Sequence, residues 1–396
     1  MKNLFIIAIL VSISSICTFA QEQENQGYTF TTIKELPITL IQNQNRTSTC
    51  WSFSSLSFLE SELIRLGKGS YNLSEMYVVW HTYLEKADRY IRTDGNINFA
   101  PGGGFEDFIY VMKKYGMVPE EQMTGLNYGE EAHVHNEMDA ALKGYVDALL
   151  KNPNGKLSTA WKRGVEGILN AYLGVPPSKF SYNGKDYSPV SFAASLGVNL
   201  DDYVSLTSFT HHPFYSKFAL EISDNWLWSE SYNLPLEEFM SIFDYAIHNG
   251  YTVLWASDVS EIGYSRKGIA TVPEVDVNQM SGSDQARWLG LSPVARNAEL
   301  SKIAERPCNE KTITQELRQV AFDNKQTTDD HGMHIFGIAQ DQDGKKFYMV
   351  KNSWGKTGDY EGIWYVSEAY ASYKTIDIMV HKNAIPLSIR QKLNIK

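Results

Sequence analysis

Hydrophobic positions divide the chain into a helical first third and a strand-rich last third. Apolar side chains recur at spacings close to 3.6 residues across residues 50–66, which predicts a buried helix with Cys50 in its first turn. Residues 73–87 and 105–115 predict two further helices, the second preceded by the run Gly102-Gly103-Gly104. The first third is therefore expected to be mainly helical.

The later chain changes character twice. Residues 125–235 are aromatic and rich in loops and prolines, with helical stretches such as 138–150, so we interpret them as an insertion. A helix at 236–249 follows. Runs of β-branched and aromatic residues then predict strands at 251–256, 332–339, 347–351 and 362–366. Helices gathered first and strands later indicate an α+β chain in two lobes.

These patterns divide one globular unit, residues 21–396, into four segments. They are a helical lobe at 21–124, the insertion at 125–235, a β-rich lobe at 236–385 and a C-terminal tail at 386–396. In the tail, Pro386 ends the preceding strand, and Ile389 and Leu393 share one face of a predicted short helix.

Residues 1–20 have the features of a secretory signal peptide. Lys2 is followed by an apolar stretch and then by small residues suited to cleavage before Gln21. The stretch is shorter than the roughly 20 residues of a spanning helix. Lipidation at Cys17 is a weaker interpretation because the bulky Ile16 precedes it. We expect an exported protein, periplasmic or extracellular, without stable membrane insertion once the leader is removed.

The composition fits a folded globular protein and excludes other classes. The 396 residues are 43% hydrophobic and 21% charged, which is incompatible with a disordered chain. Acidic residues outnumber basic ones by 46 to 36, and the formal net charge of -10 offers no electrostatic footprint for nucleic acid. Three cysteines, Cys17, Cys50 and Cys308, are too few for a disulfide framework.

Cys50 is the first candidate for chemistry. At a helix N-terminus a cysteine faces unpaired N–H groups and the positive end of the helix dipole, which stabilise a thiolate. A cysteine alone is more often a small buried hydrophobic residue, so a nucleophile also requires a base and a donor for the oxyanion. Gln44, six residues earlier in a polar loop, can bend its amide back over the helix start and join the Cys50 N–H as that donor.

The candidate base is His331. A polar turn at residues 341–344 predicts a hairpin, and folding the chain about this turn brings Asn352 within a couple of residues of His331. The amide oxygen of Asn352 would hold the imidazole in one tautomer, and Trp354 would shield that hydrogen bond from water. His334 is the alternative base, but strand alternation turns it to the opposite face.

Together, these motifs resemble the papain-like cysteine peptidases, specifically their bleomycin hydrolase or aminopeptidase C branch. The motifs around Gln44, Cys50, His331 and Asn352 occur in the family's order. Further resembling segments extend the likeness over nearly the whole mature chain: Leu73-Ser74-Glu75-Met76-Tyr77, Lys114-Tyr115-Gly116-Met117-Val118-Pro119 and His212-Pro213. The resemblance implies a papain-like two-lobe fold of the α+β class, with a largely helical insertion.

The resemblance also implies a function. We expect a cysteine peptidase that hydrolyses peptide substrates through a thiolate–imidazolium pair and an acyl-enzyme, and an aminopeptidase of broad specificity in particular. Gly103, Gly104 and Trp354 are the expected substrate-binding residues, since paired glycines allow an extended substrate backbone to approach. Relatives in this branch are often hexamers, so a homo-oligomer is implied.

Other functions remain open on the same residues. A tail held in a short helix would not reach the site, which favours an endopeptidase or dipeptidyl peptidase as the alternative. A catalytically silent peptide-binding protein and a transglutaminase-like acyl transferase are further alternatives. The presence of Ser-Trp-Gly directly after Asn352, and of Gln44 ahead of Cys50, argues against the transglutaminase-like enzyme.

Neither a metal nor an organic cofactor is expected. The pairs His133 with His135 and His211 with His212 lack an added carboxylate or cysteine at the spacing of a zinc site. The three consecutive glycines do not continue into a phosphate-binding loop.

Overall fold

The computed structural model describes residues 27–396, so the predicted signal peptide and Cys17 lie outside the described residues. Twelve α-helices form within this described part of the chain: α1 (Cys50–Arg65), α2 (Glu75–Arg92), α3 (Glu106–Tyr115), α4 (Asn136–Leu150), α5 (Ala160–Leu173), α6 (Pro189–Leu196), α7 (Leu236–His248), α8 (Gly282–Gly290), α9 (Pro293–Ala304), α10 (Gln315–Asp323), α11 (Glu368–Lys374) and α12 (Leu387–Lys392). Within residues 27–396, no helix combines the length and the apolar character that crossing a bilayer would require.

The β-strands form one large mixed sheet and a separate small hairpin. Their bounds are β1 (Thr31–Glu35), β2 (Phe180–Tyr182), β3 (Lys185–Tyr187), β4 (Tyr203–Thr207), β5 (Lys217–Ala219), β6 (Glu230–Asn233), β7 (Val253–Ser257), β8 (Tyr264–Ser265), β9 (Ile269–Ala270), β10 (His331–Gln340), β11 (Lys346–Lys351), β12 (Ile363–Ser367) and β13 (Thr375–His381). The large sheet has the order β5-β6-β4-β13-β7-β10-β11-β12-β9-β8, and β1 pairs with the distal half of β10. β2 and β3 form the hairpin.

The large sheet separates two hydrophobic cores. On one face, Leu254 of β7 joins a core built around α1 to α5, which includes Leu56 and Phe108. On the other face, its neighbour Trp255 joins a core with α7 and the C-terminal helix α12. Strand alternation thus directs successive residues of β7 into different lobes. The helices of the insertion pack on the helical lobe, where Leu169 of α5 is fully buried.

The α+β two-lobe prediction agrees with this architecture, and the four predicted strands are present as β7, β10, β11 and β12. The remaining strands were not predicted, among them the short strands β1, β8 and β9 of the large sheet. The insertion is largely helical, yet its residues 203–233 supply β4, β5 and β6 to the large sheet. The central strand β13 was also missed, because it follows α11 directly, without the glycine or proline punctuation that marks a strand boundary.

The predicted helix in the tail is present as α12. Ile389 and Leu393 are 5% and 4% exposed and belong to the core of the β-rich lobe. Lys392 on the outer face forms an ion pair of 2.7 Å with Glu238 of α7. Residues 387–393 are therefore held against the β-rich lobe.

Candidate active site

The loop before α1 places Cys50 at the mouth of a cleft between the lobes. Asn45 and Ser48 have φ angles of 50° and 53°, so the chain turns twice through the left-handed region within four residues. The Asn43 side-chain oxygen accepts the Asn45 N–H at 2.9 Å, an Asx turn that suits such a conformation. Helix α1 then begins at Cys50 itself, which is half-buried.

Ser353 fixes the orientation of Gln44. The Gln44 N–H donates to the Ser353 carbonyl oxygen at 2.8 Å, and the Ser353 hydroxyl donates to Gln44 Oε1 at 2.6 Å. With its carbonyl oxygen held there, the Gln44 amide leaves its N–H₂ group for the cavity that the residue lines. An N–H₂ group in that position can serve as an oxyanion donor.

Asn352 fixes the tautomer of His331. Its Oδ1 lies 2.7 Å from His331 Nε2 and also accepts the Ser353 N–H at 2.7 Å, while its Nδ2 donates to the Tyr264 hydroxyl at 3.2 Å. The oxygen therefore faces the ring, so Nε2 carries the proton and Nδ1 is left as the basic nitrogen. The Trp354 ring lies 4.7 Å from the imidazole, centroid to centroid, and covers this hydrogen bond.

Gly332 allows the two lobes to meet at the candidate site. A Cβ at this position would lie 2.8 Å from Ser54 Oγ, 3.1 Å from Phe105 and 3.3 Å from the Trp51 Cα. Strand β10 can therefore approach the first turn of α1 only with glycine here. This approach brings His331, the first residue of β10, to the same cavity as Cys50.

Burial favours the neutral forms of both candidate catalytic groups. Burial raises the pKa of the Cys50 thiol to about 12, with smaller contributions from the negative charges of Asp329 and Asp224, while the N–H groups of Gly332 and Trp51 oppose this rise in pKa. Burial lowers the pKa of His331 to about 4, against the hydrogen bond to Asn352. Burial therefore opposes a lone thiolate and a lone imidazolium, so the two charged forms would have to compensate each other as a pair.

The cleft holds a cavity of about 420 Å³. One rim is the segment from Ala100 to Gly104. Two side chains hold this segment in place by hydrogen bonds to its carbonyl groups. Trp51 Nε1 donates to the Pro101 carbonyl at 3.0 Å, and the buried Lys86 ammonium donates to the carbonyl oxygens of Ala100 (2.8 Å) and Gly102.

The structure brings the predicted site residues together. The residues that line this one cavity include Gln44, Cys50, Gly103, Gly104, His331 and Trp354. Asn352 lies behind His331. His334 does not line the cavity; it is fully buried, with Nδ1 2.9 Å from the Ser57 hydroxyl of α1.

Other residues of the site were not foreseen. Tyr264, which supports Asn352, lies in a short strand 88 positions away and carries no sequence signal of such a role. Ser353 was noted only as a member of the stretch that follows Asn352, and no role was predicted for it. The cavity also holds a group of carboxyl side chains, of which only Asp330, next to His331, lay in a motif that drew attention.

A second polar cluster lies outside the cavity. Nε2 atoms of His211 and His212 approach the two carboxylate oxygens of Glu221 at 2.9 and 2.7 Å. The histidine pair therefore does have a carboxylate beside it. Glu221 was missed in the sequence because it lies nine residues beyond His212, outside the spacing of a typical zinc motif. The three side chains lie close enough together to ligate one metal ion. All three side chains are at least partly exposed, and the Glu221 carboxylate already forms a hydrogen bond with Nε2 of each histidine ring.

Known proteins resemble this chain over most of its length. The chain is 23% identical over 393 residues to aminopeptidase C of Streptococcus thermophilus, covering 87% of this chain and 80% of the relative. It is 21% identical over 422 residues to the mitochondrial cysteine proteinase 1 of Saccharomyces cerevisiae, covering 95% and 81%. The crystal structure of PepW from Lactobacillus rhamnosis HN001 matches with a TM-score of 0.67 at 20% identity, over 92% of this chain and 84% of that chain.

The fold seen in this structural match is the papain-like one. A sequence model of the Peptidase C1-like family matches residues 7–287 and 313–396. The unmatched residues between these two stretches include all of α9. Because the match takes in both lobes and the elements that carry Cys50 and His331, the chain belongs to the Peptidase C1-like family and is a cysteine-type peptidase.

Proposed function

We propose that Cys50 is the nucleophile of an aminopeptidase that cleaves peptides by covalent catalysis. The observation that carries the proposal is the convergence of Gln44, Cys50 and His331 on one cavity, with Asn352 bonded to the far side of the imidazole. These four side chains come from separate parts of the chain, and their roles match the nucleophile, base, orienting group and oxyanion donor of acyl transfer.

Acylation uses both members of the pair. The thiolate sulfur of Cys50 attacks the carbonyl carbon of the scissile bond, and the negative oxygen that forms accepts hydrogen bonds from the Gln44 amide and the Cys50 N–H. His331 gives its Nδ1 proton to the leaving amine as the carbon–nitrogen bond breaks. An acyl-enzyme thioester and a free amine result.

In deacylation, His331 acts as a general base instead of a general acid. Neutral His331 takes a proton from water, the resulting hydroxide attacks the thioester carbon, and the carbon–sulfur bond breaks. The carboxylic product leaves with the Cys50 thiolate regenerated. Asn352 holds the orientation of the ring throughout by its hydrogen bond to Nε2.

A thiol-directed experiment tests the nucleophile. Cys50→Ala should abolish peptide hydrolysis, and Cys308→Ala should leave it intact, because Cys308 lies outside the cavity with Sγ 4.0 Å from the Tyr28 hydroxyl. A peptidyl epoxide should label Cys50. Hydrolysis by the Cys50→Ala protein would contradict the proposal, whereas peptide binding without hydrolysis by the unaltered protein would indicate the silent binding protein.

Cleavage from the amino end is supported by relatives named aminopeptidase C, E and G. The products from one peptide with a free amino end and from its N-acetylated form separate the modes. An aminopeptidase releases single residues from the free form only. Release of dipeptides, or internal cleavage of the acetylated form, would indicate a different mode.

One observation favours a dipeptidyl or endopeptidase mode as the second candidate. Residues 387–393 pack on the β-rich lobe, and no residue from 386 to 396 lines the cavity. In the branch that the sequence resembles, a C-terminal arm in the cleft restricts cleavage to the amino end. Deleting residues 387–396 should leave the product pattern unchanged if this segment has no part in specificity.

Export and self-association complete the proposal. The features of residues 1–20 support cleavage before Gln21 and a periplasmic or extracellular location, and the family resemblance supports a homo-oligomer such as a hexamer. The mass of the mature protein's amino-terminal peptide tests the first. Sedimentation velocity at several protein concentrations tests the second.

A further inference from the structure

One side of the cavity is lined with carboxyl groups. Four of them, Glu106, Asp224, Asp329 and Asp377, form what we call the acidic wall, and the exposed Asp330 lies at its edge. The lining contains no lysine or arginine, and all of it lies within residues 27–396. The cavity therefore presents a group of carboxyl side chains, with no cationic side chain among them, to a ligand beside Cys50.

Asp377 is the most unusual member of the acidic wall. It is only 7% exposed, and among residues 27–396 its carboxylate has neither a hydrogen bond nor an ion pair. Burial makes the charged form of such a carboxyl group costly, and a cation that entered the cavity would relieve that cost by pairing with it.

A β-bulge brings Asp377 to the cavity. Thr375 of β13 pairs with Ser257 of β7 and Ile378 pairs with Trp255, so two residues of β13 lie opposite one residue of β7. Bulges of this kind redirect a side chain, often beside an active site. The residue of β7 at the bulge, Ala256, also lines the cavity, and on its other side it pairs with Gly332.

The carboxyl groups of the acidic wall interact unfavourably with one another. Burial and then the charges of Glu106 and Asp329 raise the pKa of Asp377 well above its usual value. Burial and then the charges of Asp224 and Asp330 raise the pKa of Asp329 to about 8. One ammonium, Lys86, acts on Asp224, but it is held behind the rim by the carbonyl oxygens of Ala100 and Gly102.

The acidic wall adjoins the expected path of the substrate backbone. Asp224 lies against Gly102, where a Cβ would meet its carboxylate oxygen at 1.9 Å, and Gly103 and Gly104 follow on the same rim. Asp329 precedes His331 by two residues. A peptide that extends along the rim toward Cys50 passes the acidic wall.

We propose that the acidic wall binds a cationic group of the peptide, which makes this peptidase selective for substrates with an ammonium or guanidinium group beside the cleaved bond. The proposal rests on the function proposed above. A cation in contact with Asp377 would supply the partner that this side chain lacks. The cation has two sources, the free amino end of a short peptide and a lysine or arginine side chain.

Binding to a protein that cannot cleave separates the two sources. Three tetrapeptide amides differ in the presence and position of one positive charge: N-acetylated with norleucine at the second position, N-acetylated with lysine there, and the norleucine peptide with a free amino end. Calorimetric titration of each into the Cys50→Ala protein gives three affinities. At least one cationic peptide should bind about tenfold more tightly than the neutral one, as expected for one hydrogen-bonded charge pair.

A second substitution tests the acidic wall itself. Adding Asp377→Asn to the Cys50→Ala protein should bring the cationic-to-neutral affinity ratio close to one. Adding Asp343→Asn, at an exposed turn outside the cavity, should leave the ratio unchanged. Asp329→Asn replaces Asp377→Asn if the latter does not fold.

Three results would overturn the proposal: equal affinities for the three peptides, no measurable binding of any of them, or an affinity ratio that survives both asparagine substitutions. Hydrolysis of neutral peptides by the unaltered protein is measured separately. If hydrolysis is present and depends on Cys50 while the affinities are equal, only the role of the acidic wall is lost.

Discussion

At the scale of single residues, the candidate site depends on side chains whose orientation is set by neighbours. Gln44 is directed by the two bonds to Ser353, and His331 by Asn352, which Tyr264 holds in turn. The residues expected to contact substrate are thus held by a second set of polar groups. This arrangement fixes the hydrogen-bonding direction of each group before substrate arrives.

The Gln44 amide is expected to act on kcat. Gln44→Ala should lower kcat by about 10²–10³-fold with little change in KM, because the lost N–H₂ group bonds the oxyanion and not the ground-state carbonyl. Steady-state kinetics on one fluorogenic peptide measure this effect. Gln391→Ala, at an exposed position of α12, is the matched control and should not change kcat. If the substitution instead raised KM by a similar factor and left kcat unchanged, the oxyanion role would be contradicted.

The pH dependence of activity should be bell-shaped. The rate of acylation rises as Cys50 and His331 together form the thiolate–imidazolium pair, and it falls as the imidazolium loses its proton. The negative charge of Asp224 contributes to the raised pKa of the Cys50 thiol. Removing this charge in Asp224→Asn favours the thiolate, so the acid limb of kcat/KM should move to lower pH by roughly half a unit.

The expected shift of the acid limb to lower pH depends on removing a charge close to Cys50. Asp343→Asn removes an exposed carboxylate outside the cavity and should leave the pH profile in place. An acid limb that moves to higher pH in Asp224→Asn, or one that does not move, would contradict the electrostatic coupling between Asp224 and Cys50.

At the scale of elements, the site depends on how closely strand β10 approaches helix α1. Gly332 is the contact point, and its neighbour His331 begins the strand. On the other side of β7, the bulge in β13 brings Asp377 to the same cavity. Three adjacent strands therefore contribute to one end of the cleft.

A single methyl group should separate these elements. Gly332→Ala places a Cβ 2.8 Å from Ser54 Oγ and 3.3 Å from the Trp51 Cα, and relief of this overlap moves β10 away from α1. We expect a loss of roughly 1–3 kcal/mol in the free energy of unfolding and a larger proportional loss of activity. Thermal unfolding and kcat/KM are the measurements. Gly282→Ala, where a Cβ meets nothing within 4 Å, is the control.

If Gly332→Ala retained full activity at reduced stability, the close approach would matter for packing alone. If both properties were unchanged, the strand would have room that the structure does not show.

At the scale of the whole molecule, the amino-terminal segment lies along the β-rich lobe and leaves the cleft open. β1 pairs with β10, and the Phe30 ring stacks on Tyr365 with centroids 3.8 Å apart. Among the described residues that precede α1, only Gln44 and Ser48 line the cavity. Residues 27–43 thus do not cover Cys50.

Protein expressed from Gln21 onward should therefore be active without proteolytic trimming. Incubation with a peptidyl epoxide directly after purification, followed by intact-mass measurement, gives the fraction of protein labelled at Cys50. We expect near-complete labelling of untrimmed protein. Labelling that appears only after treatment with a second protease would show that the segment before α1 blocks the cleft.

Much of the fold and the candidate site could be predicted from local patterns. The period of apolar residues placed Cys50 at the start of α1, and the turn at residues 341–344 paired β10 with β11, which brings Asn352 to His331. Gly103 and Gly104 were identified by resemblance to a family. The other features depend on neighbours in the sequence or on one hairpin, so side-chain period and turn chemistry are sufficient to predict them.

The sequence by itself determined the helical lobe, the hairpin and the four motif residues Gln44, Cys50, His331 and Asn352. Tertiary structure alone decided the supporting contacts of Tyr264 and Ser353, the central position of β13 and the acidic wall. The wall's four carboxyl groups come from separate stretches of the chain, and one reaches the cavity through a bulge. A bulge and a convergence of distant segments have no local period, because they arise only when the sheet packs against the helices.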